Sequence, residues 1–528
     1  MKGKIIQDPV HGYIEIEDKF MNIVDTIEFQ RLKWIEQGSF RVLYPGARHD
    51  RFIHSLGTFF LAQKASESFF KNIKQDIAHE NRCNEDEETK LKNTFLYAAL
   101  LHDIGHAPFS HTCEGYFEYK VTEQYGEKKI NNDLINAIYS LEIGIDRKEK
   151  FKEEYFEMDN KPSAHEIVSA TILVNKVKDF LLEQYDHIDA ELAARMVIGL
   201  TYAELSKEFG IKNCLIRLLN SDTVDVDKLD YISRDTKMTG FSNVTIDIER
   251  ITNGVTAVIE DNDLLPAFRK NTLSVIDNVF RAKEEQGKWV ISHPSVVYES
   301  ELIKQCINHI DGKEDKYIDT VFSYEALGKD GIEYKNKKYK LLSDIDIISD
   351  FKKHMDNRLI NEYFCRNNRR KAVWKSYQEY LYMVKQKDDS ECLTKFYQYF
   401  SPLINYMDSN GYFVLNEEIY AIIQREKNAK IKKPARLLKD ICEESGLELD
   451  LVLLEVKNNF ISKISRDKVY IKFPEVLGKK LCTYNYIKGI KEERAETYAF
   501  FYLYSKQSIS KKIFVEKLSM IMRGMRKI

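Results

Sequence analysis

Residues 100–111 read "LLHDIGHAPFSH", which sets His102, Asp103, His106 and His111 directly after the apolar run "YAALL" at 97–101. The preceding "NTFLYAALL" has the Ala and Leu content of a buried helix, with Gly105 suited to its C-terminal end and Pro108 just beyond. Two readings compete for these polar groups: a helix end facing water, or part of a metal site completed from other segments. Adjacent helical residues project about 100° apart, so one ion reaches both His102 and Asp103 only from the boundary between their faces. Further ligands must come from elsewhere in the chain.

Two segments offer them. His54, in "HDRFIHS" (49–55), opens an apolar helix, and Asp227 lies in "DVDKLDYISRD" (225–235). In the second segment Asp227, Tyr231 and Asp235 recur at i, i+4 and i+8 beside Lys228, so two carboxylates and a phenol line one helical face. Satisfied polar groups in a core are the alternative, but leaving such carboxylates buried and unpaired costs several kcal/mol each. A divalent cation and a sugar-phosphate ligand would satisfy them. A thiolate-free imidazole and carboxylate set suits Mn, Fe, Ni or Zn better than Ca. Such an ion brings the pKa of bound water from about 15.7 toward about 7 and polarises a phosphoryl oxygen. The reaction class implied is metal-assisted hydrolysis of a phosphate ester or anhydride.

Composition fits that reading. The 528 residues are 43% hydrophobic and 31% charged with only nine prolines, which indicates an ordered, helix-biased protein of two or three structural regions. A net charge of −3 excludes a global field drawing the chain to nucleic acid, so an anionic ligand must be met by a local cluster. The eight cysteines include no C-x-x-C pair, which argues against a zinc ribbon or a disulfide framework. No stretch approaches the roughly 20 apolar residues of a membrane span, and the N-terminus lacks the apolar run of a signal peptide, so no membrane partner and a cytoplasmic location are expected.

Along the chain, "YIEIE" (13–17) alternates as a short strand does, and "FMNIVDTIEFQRLKWI" (20–35) has helical spacing. "HENRCNEDEETKLK" (79–92) reads as a solvated loop, and residues 118–162 as a charged, exposed insertion. The character shifts after residue 312, and a boundary near residue 330 divides the chain into 1–330 and 331–528. The second region is α-rich, with strands expected at "GYFVL" (411–415) and "KVYIKF" (468–473), and is a candidate for oligomerisation or regulation. The basic clusters at 365–375 and 425–436 make single-stranded nucleic acid conceivable, with solvated surface the better reading.

Six strings, "DPVHGYIEIED", "DTIEFQRLKWIEQ", "YPGARHDRFIHSLG", "LLHDIGHAPFSH", "SAHEIVS" and "DVDKLDYISRD", occur in the order seen in the HD-domain deoxynucleoside triphosphate triphosphohydrolases. The chain resembles that family over roughly residues 1–300, in particular the branch containing the vertebrate SAM-and-HD-domain dNTPase, and "LLSDIDIISDFKK" (341–353) resembles a later segment. The resemblance implies a mainly α fold with a helical HD core, and one divalent metal per active site, with Mn or Mg supporting activity. It implies His54, His102, Asp103 and Asp227 as ligands. It places Arg51, His106, His165, Lys228 and Tyr231 on the triphosphate, His111 as the acid protonating the leaving 5′-oxygen, Asp235 on the sugar 3′-hydroxyl and Gln37 near the base and sugar. It further implies a homo-oligomer with an activating nucleotide near Lys4, Asp25 and Lys33, although lysine at 33 lacks the flat fork of the arginine that the branch carries there. The expected activity is cleavage of a dNTP to deoxynucleoside and inorganic triphosphate, used in pool control or antiviral defence. The rival is an HD-type phosphodiesterase or nuclease acting on single-stranded nucleic acid or a signalling nucleotide.

Overall fold

A computed structural model describes residues 3–78, 82–118, 129–181, 187–204, 206–241, 244–260, 263–314, 316–384, 391–458, 465–476, 479–488, 498–510, 512–514 and 516–517. The chain is mainly α-helical with a few short strands, as expected. It forms two compact units, both discontinuous in sequence. The first comprises Met1–Gln286, Ile310–Asp350 and Ser462–Glu493; the second comprises Gly287–His309, Phe351–Ile461 and Arg494–Ile528. Residues from both sides of position 330 therefore fall in each unit.

The first unit opens with a hairpin of β1 (Lys4–Asp8) and β2 (Gly12–Ile16). Its turn is closed by Asp8 Oδ1, which accepts the Val10 and His11 amides at 2.7 Å each. The continuous helix expected over 20–35 is instead broken into α1 (Asp18–Val24), α2 (Ile27–Gln30) and a 3₁₀ turn, Arg31–Trp34. Thr26 causes the break, because its hydroxyl accepts the Phe29 amide and caps a new helix. There follow α3 (Arg51–Asp76), capped by Asp50, and α4 (Glu85–Leu101), capped by Asn84. The stretch read as a solvated loop thus becomes helical from Glu85, with four acidic residues in the first turn beside the positive end of the helix dipole. Residues 79–81 lie outside the described residues.

Among its described residues, the charged region 118–162 contains two helices, α5 (Lys129–Tyr139) and α6 (Ile145–Glu157), which bury Leu134, Ile138, Phe151 and Tyr155, and residues 119–128 lie outside the described residues. Then come α7 (Ala164–Leu181), α8 (Ala190–Ile198), α9 (Lys207–Leu219), α10 (Val226–Thr239), α11 (Ile248–Asn253), β3 (Val255–Glu260), β4 (Asp263–Arg269) and α12 (Leu273–Gln286). The second half of α4, Phe95–Leu101, is buried on every face, and every residue of α8 is buried. Such all-round burial marks central helices of a core. β4 pairs parallel with Tyr470–Val476 and antiparallel with β3, which brings residues 462–493 into the first unit. Lys337–Tyr339 and Ile332–Tyr334 form a hairpin whose turn residues Lys335 and Asn336 have positive φ.

The second unit contains a three-stranded antiparallel sheet in the order Lys371–Ala372, Tyr498–Ser505, Leu451–Asn458. Trp374, Phe396, Phe400, Phe500 and Phe501 fill its core, and Trp374 Nε1 donates to the Phe501 carbonyl at 2.9 Å. Of the strands expected late in the chain, "KVYIKF" is found in Tyr470–Val476, whereas "GYFVL" supplies only an isolated bridge from Leu415 to Leu451.

Candidate active site

Four helices converge on one cluster. Arg51 and His54 come from the first turn of α3, His102 and Asp103 directly follow α4, His165 stands in the first turn of α7, and Asp227, Lys228, Tyr231 and Asp235 lie on α10. His54 Nε2 lies 3.2 Å from His102 Nε2, 3.4 Å from Asp103 Oδ2 and 3.0 Å from Asp227 Oδ1. His102 Nε2 lies 3.5 Å from the same Asp227 oxygen and 3.6 Å from Asp103 Oδ1. Two imidazole nitrogens and two carboxylates from three distant stretches therefore face a common point.

The electrostatics of that point fit a cation. Burial alone would lower the pKa of His54, yet hydrogen bonds to Asp227 and Asp230 and the charge of Asp103 raise it to about 10. Asp227 is held well below the ordinary carboxylate range, its burial outweighed by His102 and His54. Asp103 is likewise kept ionised against burial, first by Arg51, whose Nη1 donates to Oδ2 at 2.8 Å. The surplus of carboxylate that holds a proton on His54 is what a divalent ion would neutralise in that proton's place. His54, His102, Asp103 and Asp227 are thus suited to hold one.

Behind the cluster lies a network that the sequence reading did not assign. Asp230, fully buried, accepts His54 Nδ1–H at 2.7 Å and a hydrogen bond from His11 Nε2 at 2.6 Å. It also accepts Arg234 Nε and Nη2 at 2.8 Å each, and Arg234 Nη1 reaches Asp8 Oδ2 at 2.8 Å. An ionised carboxylate on Nδ1 fixes the orientation of the His54 ring, which would leave its Nε2 lone pair for an ion at the cluster. Gly57 is required here: a Cβ would run into the Asp230 carboxylate and the Arg234 guanidinium. Gly105 has a similar reason to be glycine. Rather than ending a helix in the left-handed region, it lets the loop approach the α7 backbone, where its amide donates to Ser169 Oγ at 2.8 Å.

Beside the four-ligand cluster stands a second histidine group. The rings of His106 and His165 stack at 4.1 Å, and His111 meets both edge-on at 5.1 and 5.2 Å. Glu114 joins two of them, with Oε2 on His111 Nδ1 at 2.9 Å and Oε1 on His165 Nδ1 at 2.7 Å. Those contacts leave Nε2 of both rings for a ligand. His106 Nε2 lies 3.1 Å from Asp103 Oδ1, and burial with the charges of Arg51 and His165 keeps His106 well below the usual histidine range. His165 is raised by Glu114 despite burial. The pKa of His111 is lowered by desolvation and by Arg51 and His165, against Glu114.

The remaining expected residues divide. Arg51 does not pair with Asp50, which caps α3 instead; it holds Asp103, Ser110 Oγ and the Gln37 carbonyl. Lys228 Nζ lies on Asp225 Oδ2 and the Ser221 carbonyl, at 2.5 and 2.6 Å. Tyr231 stands 6.5 Å from the His54 ring, with Lys283 Nζ over its face at 4.3 Å. Asp235 is engaged by His49 Nε2 at 2.6 Å and by Gln286 Nε2. Gln37 is buried, and its side-chain oxygen meets no donor among the described residues. Lys4, Asp25 and Lys33 are exposed, with Lys33 Nζ on Gln30 Oε1 at 2.6 Å and over the Phe52 ring.

The family model for the HD domain matches residues 51–205, which takes in every histidine of both clusters. The chain is 25% identical to an uncharacterized protein of Methanocaldococcus jannaschii over 452 residues, 82% of this chain and 77% of that one. It is 26% identical over 373 residues to the deoxynucleoside triphosphate triphosphohydrolase SAMHD1 of Homo sapiens, covering 67% of this chain and half of the human protein's length. A hypothetical protein from Aquifex aeolicus shares the fold, with a TM-score of 0.56 at 16% identity, over 98% of this chain and 100% of that one. Among the described residues no helix is long and apolar enough to cross a membrane. The chain thus contains a region that matches the HD domain and is similar in sequence to deoxynucleoside triphosphate triphosphohydrolases.

Proposed function

We propose that the protein hydrolyses deoxynucleoside triphosphates to deoxynucleoside and inorganic triphosphate. The observation that carries this reading is the juxtaposition of the cluster His54, His102, Asp103 and Asp227 with Arg51, His106, His165 and His111. A divalent ion at the first cluster, Mn or Mg, would supply Lewis-acid polarisation of the phosphoryl group and activation of water. Arg51 and Lys228 add fixed positive charge for the triphosphate, and His106 and His165 offer ring nitrogens to its oxygens. Water oxygen joins the α-phosphorus, the bond from that phosphorus to the 5′-oxygen breaks, and His111 delivers a proton to the departing oxygen. Polyphosphate oxygens near His111 raise its pKa toward the protonated form that this role needs, while Glu114 holds the ring by Nδ1.

Tyr231 and Asp235 bound the sugar, and the unpartnered oxygen of Gln37 serves the base or sugar edge. The regulatory part of the proposal is a homo-oligomer activated by a nucleotide at Lys4, Asp25 and Lys33. The test is product identification by ³¹P NMR, using dNTPs singly and in pairs with Mn or Mg. Inorganic triphosphate supports the reading; nucleoside monophosphates released from single-stranded DNA, with dNTPs left intact, would transfer the site to the phosphodiesterase rival.

A further inference from the structure

The loop between the HD pair and His111 contains a conformation that its sequence does not favour. Phe109 and Ser110 both sit in the left-handed region, with φ of 57° and 52°, and neither is glycine. Each such residue costs about 1–2 kcal/mol and persists only where its surroundings over-determine it. His111 follows immediately, so the turn sets where that ring stands.

What holds the turn comes from far along the chain. Asp344 is 4% exposed and begins the helix Asp344–Lys353. Its Oδ1 accepts the Phe109 amide at 2.6 Å, and its Oδ2 accepts the Glu36 amide at 3.0 Å. Two residues earlier, the Leu342 carbonyl accepts Arg31 Nη1 at 2.8 Å, and the same guanidinium donates to the carbonyls of Ile104 and His106 at 2.6 and 3.0 Å. Ser110 Oγ completes the tie by donating to the Glu36 carbonyl at 2.5 Å while accepting from Arg51 Nε at 3.0 Å. One carboxylate thus joins the loop that carries His111 to the segment that carries Gln37.

We propose that Asp344 is a positioning residue of the active site: from beyond the matched HD domain it locks the Phe109–Ser110 turn to Glu36, and thereby aims His111 and Gln37 at the substrate. The assignment rests on the function proposed above. Hydrogen bonds contribute about 0.5–1.5 kcal/mol each, and the two together offset the cost of one left-handed residue. Asparagine at 344 keeps an oxygen for one amide and turns an N–H against the other; alanine removes both acceptors.

The test compares the full-length protein with Asp344→Asn and Asp344→Ala by steady-state kinetics, bound metal and amide hydrogen exchange. The expected result is a kcat lowered about tenfold or more in Asp344→Ala and less in Asp344→Asn, with KM within about twofold and metal content unchanged. Peptides containing Glu36 and Phe109 exchange faster in both variants, while those from α8 do not. An unchanged kcat in Asp344→Ala would overturn the proposal, as would loss of metal with faster exchange across α8 in both variants, the mark of a general structural role. Should the wild-type protein release no triphosphate from any dNTP, the functional reading fails separately. Exchange at Glu36 and Phe109 then decides alone whether Asp344 holds the turn.

Discussion

Replacing Asp230 with asparagine should weaken both the fold and the metal site, through one atom each. The carboxylate is fully buried and accepts four hydrogen bonds, from His54, His11 and two nitrogens of Arg234. Asparagine preserves volume but removes the charge and turns one acceptor into a donor facing donors. Arg234, also fully buried, then keeps Asp8 alone as an ionic partner among the described residues. Breaking a buried pair in this way costs about 3–5 kcal/mol, and the four contacts are one network whose losses do not add. Against a typical stability of about 5–15 kcal/mol this is a large fraction. His54 at the same time loses the charged acceptor that fixes its tautomer, which lowers metal affinity about 10- to 100-fold. Urea unfolding with and without saturating Mn, together with a Mn titration of the folded variant, reads both effects. Wild-type metal affinity with an unfolding free energy within about 1 kcal/mol of wild type would refute the reasoning.

Three further perturbations follow from the same geometry. Gly57→Ala forces a methyl group into the Asp230 and Arg234 pair, so thermal unfolding should occur well below wild type even though alanine favours helix. His111→Asn should lower kcat by about 10²–10⁴ while metal content stays at the wild-type level, since that ring lies outside the four-ligand cluster. Burial pushes the carboxyl of Asp344 up to about 7, against the amides of Glu36 and Phe109 and the charge of Arg31. Its folded pKa therefore lies above its unfolded value of about 3.9, and the folded state binds the extra proton between them. That contribution to stability is present below pH 4 and lost as pH rises to about 7, by on the order of 4 kcal/mol. Denaturation across pH 4–8 should show this decline in wild type and a shallower one in Asp344→Asn.

What could be read from the sequence was chemistry repeated at short spacing. His102 and Asp103 are adjacent, and Asp227, Tyr231 and Asp235 recur at helical intervals, so their convergence needed only the helices that apolar periodicity indicates. Asp230 and Arg234 were legible on the same grounds, as an i, i+4 pair on α10, but their partners Asp8 and His11 lie more than 200 residues away. Glu114 stands three residues after His111, and only the 3₁₀ turn Ser110–Thr112 reveals that the two meet. Asp344 gave no local sign, because its work is done on amides 235 and 308 residues distant. The same limit hid the parallel pairing of β4 with Tyr470–Val476, which depends on closure of a long loop rather than on local pattern. The helix at Glu85, by contrast, was marked by Asn84 and an acidic first turn, a capping signal that polar composition obscured.

Four side chains from three stretches are expected to close around one divalent ion, and an anomalous difference map from crystals grown with Mn shows whether they do. A single strong peak per chain should lie within bonding reach of His54 Nε2, His102 Nε2, Asp103 and Asp227. A peak only among His106, His111 and His165, or none at full Mn saturation, would contradict it.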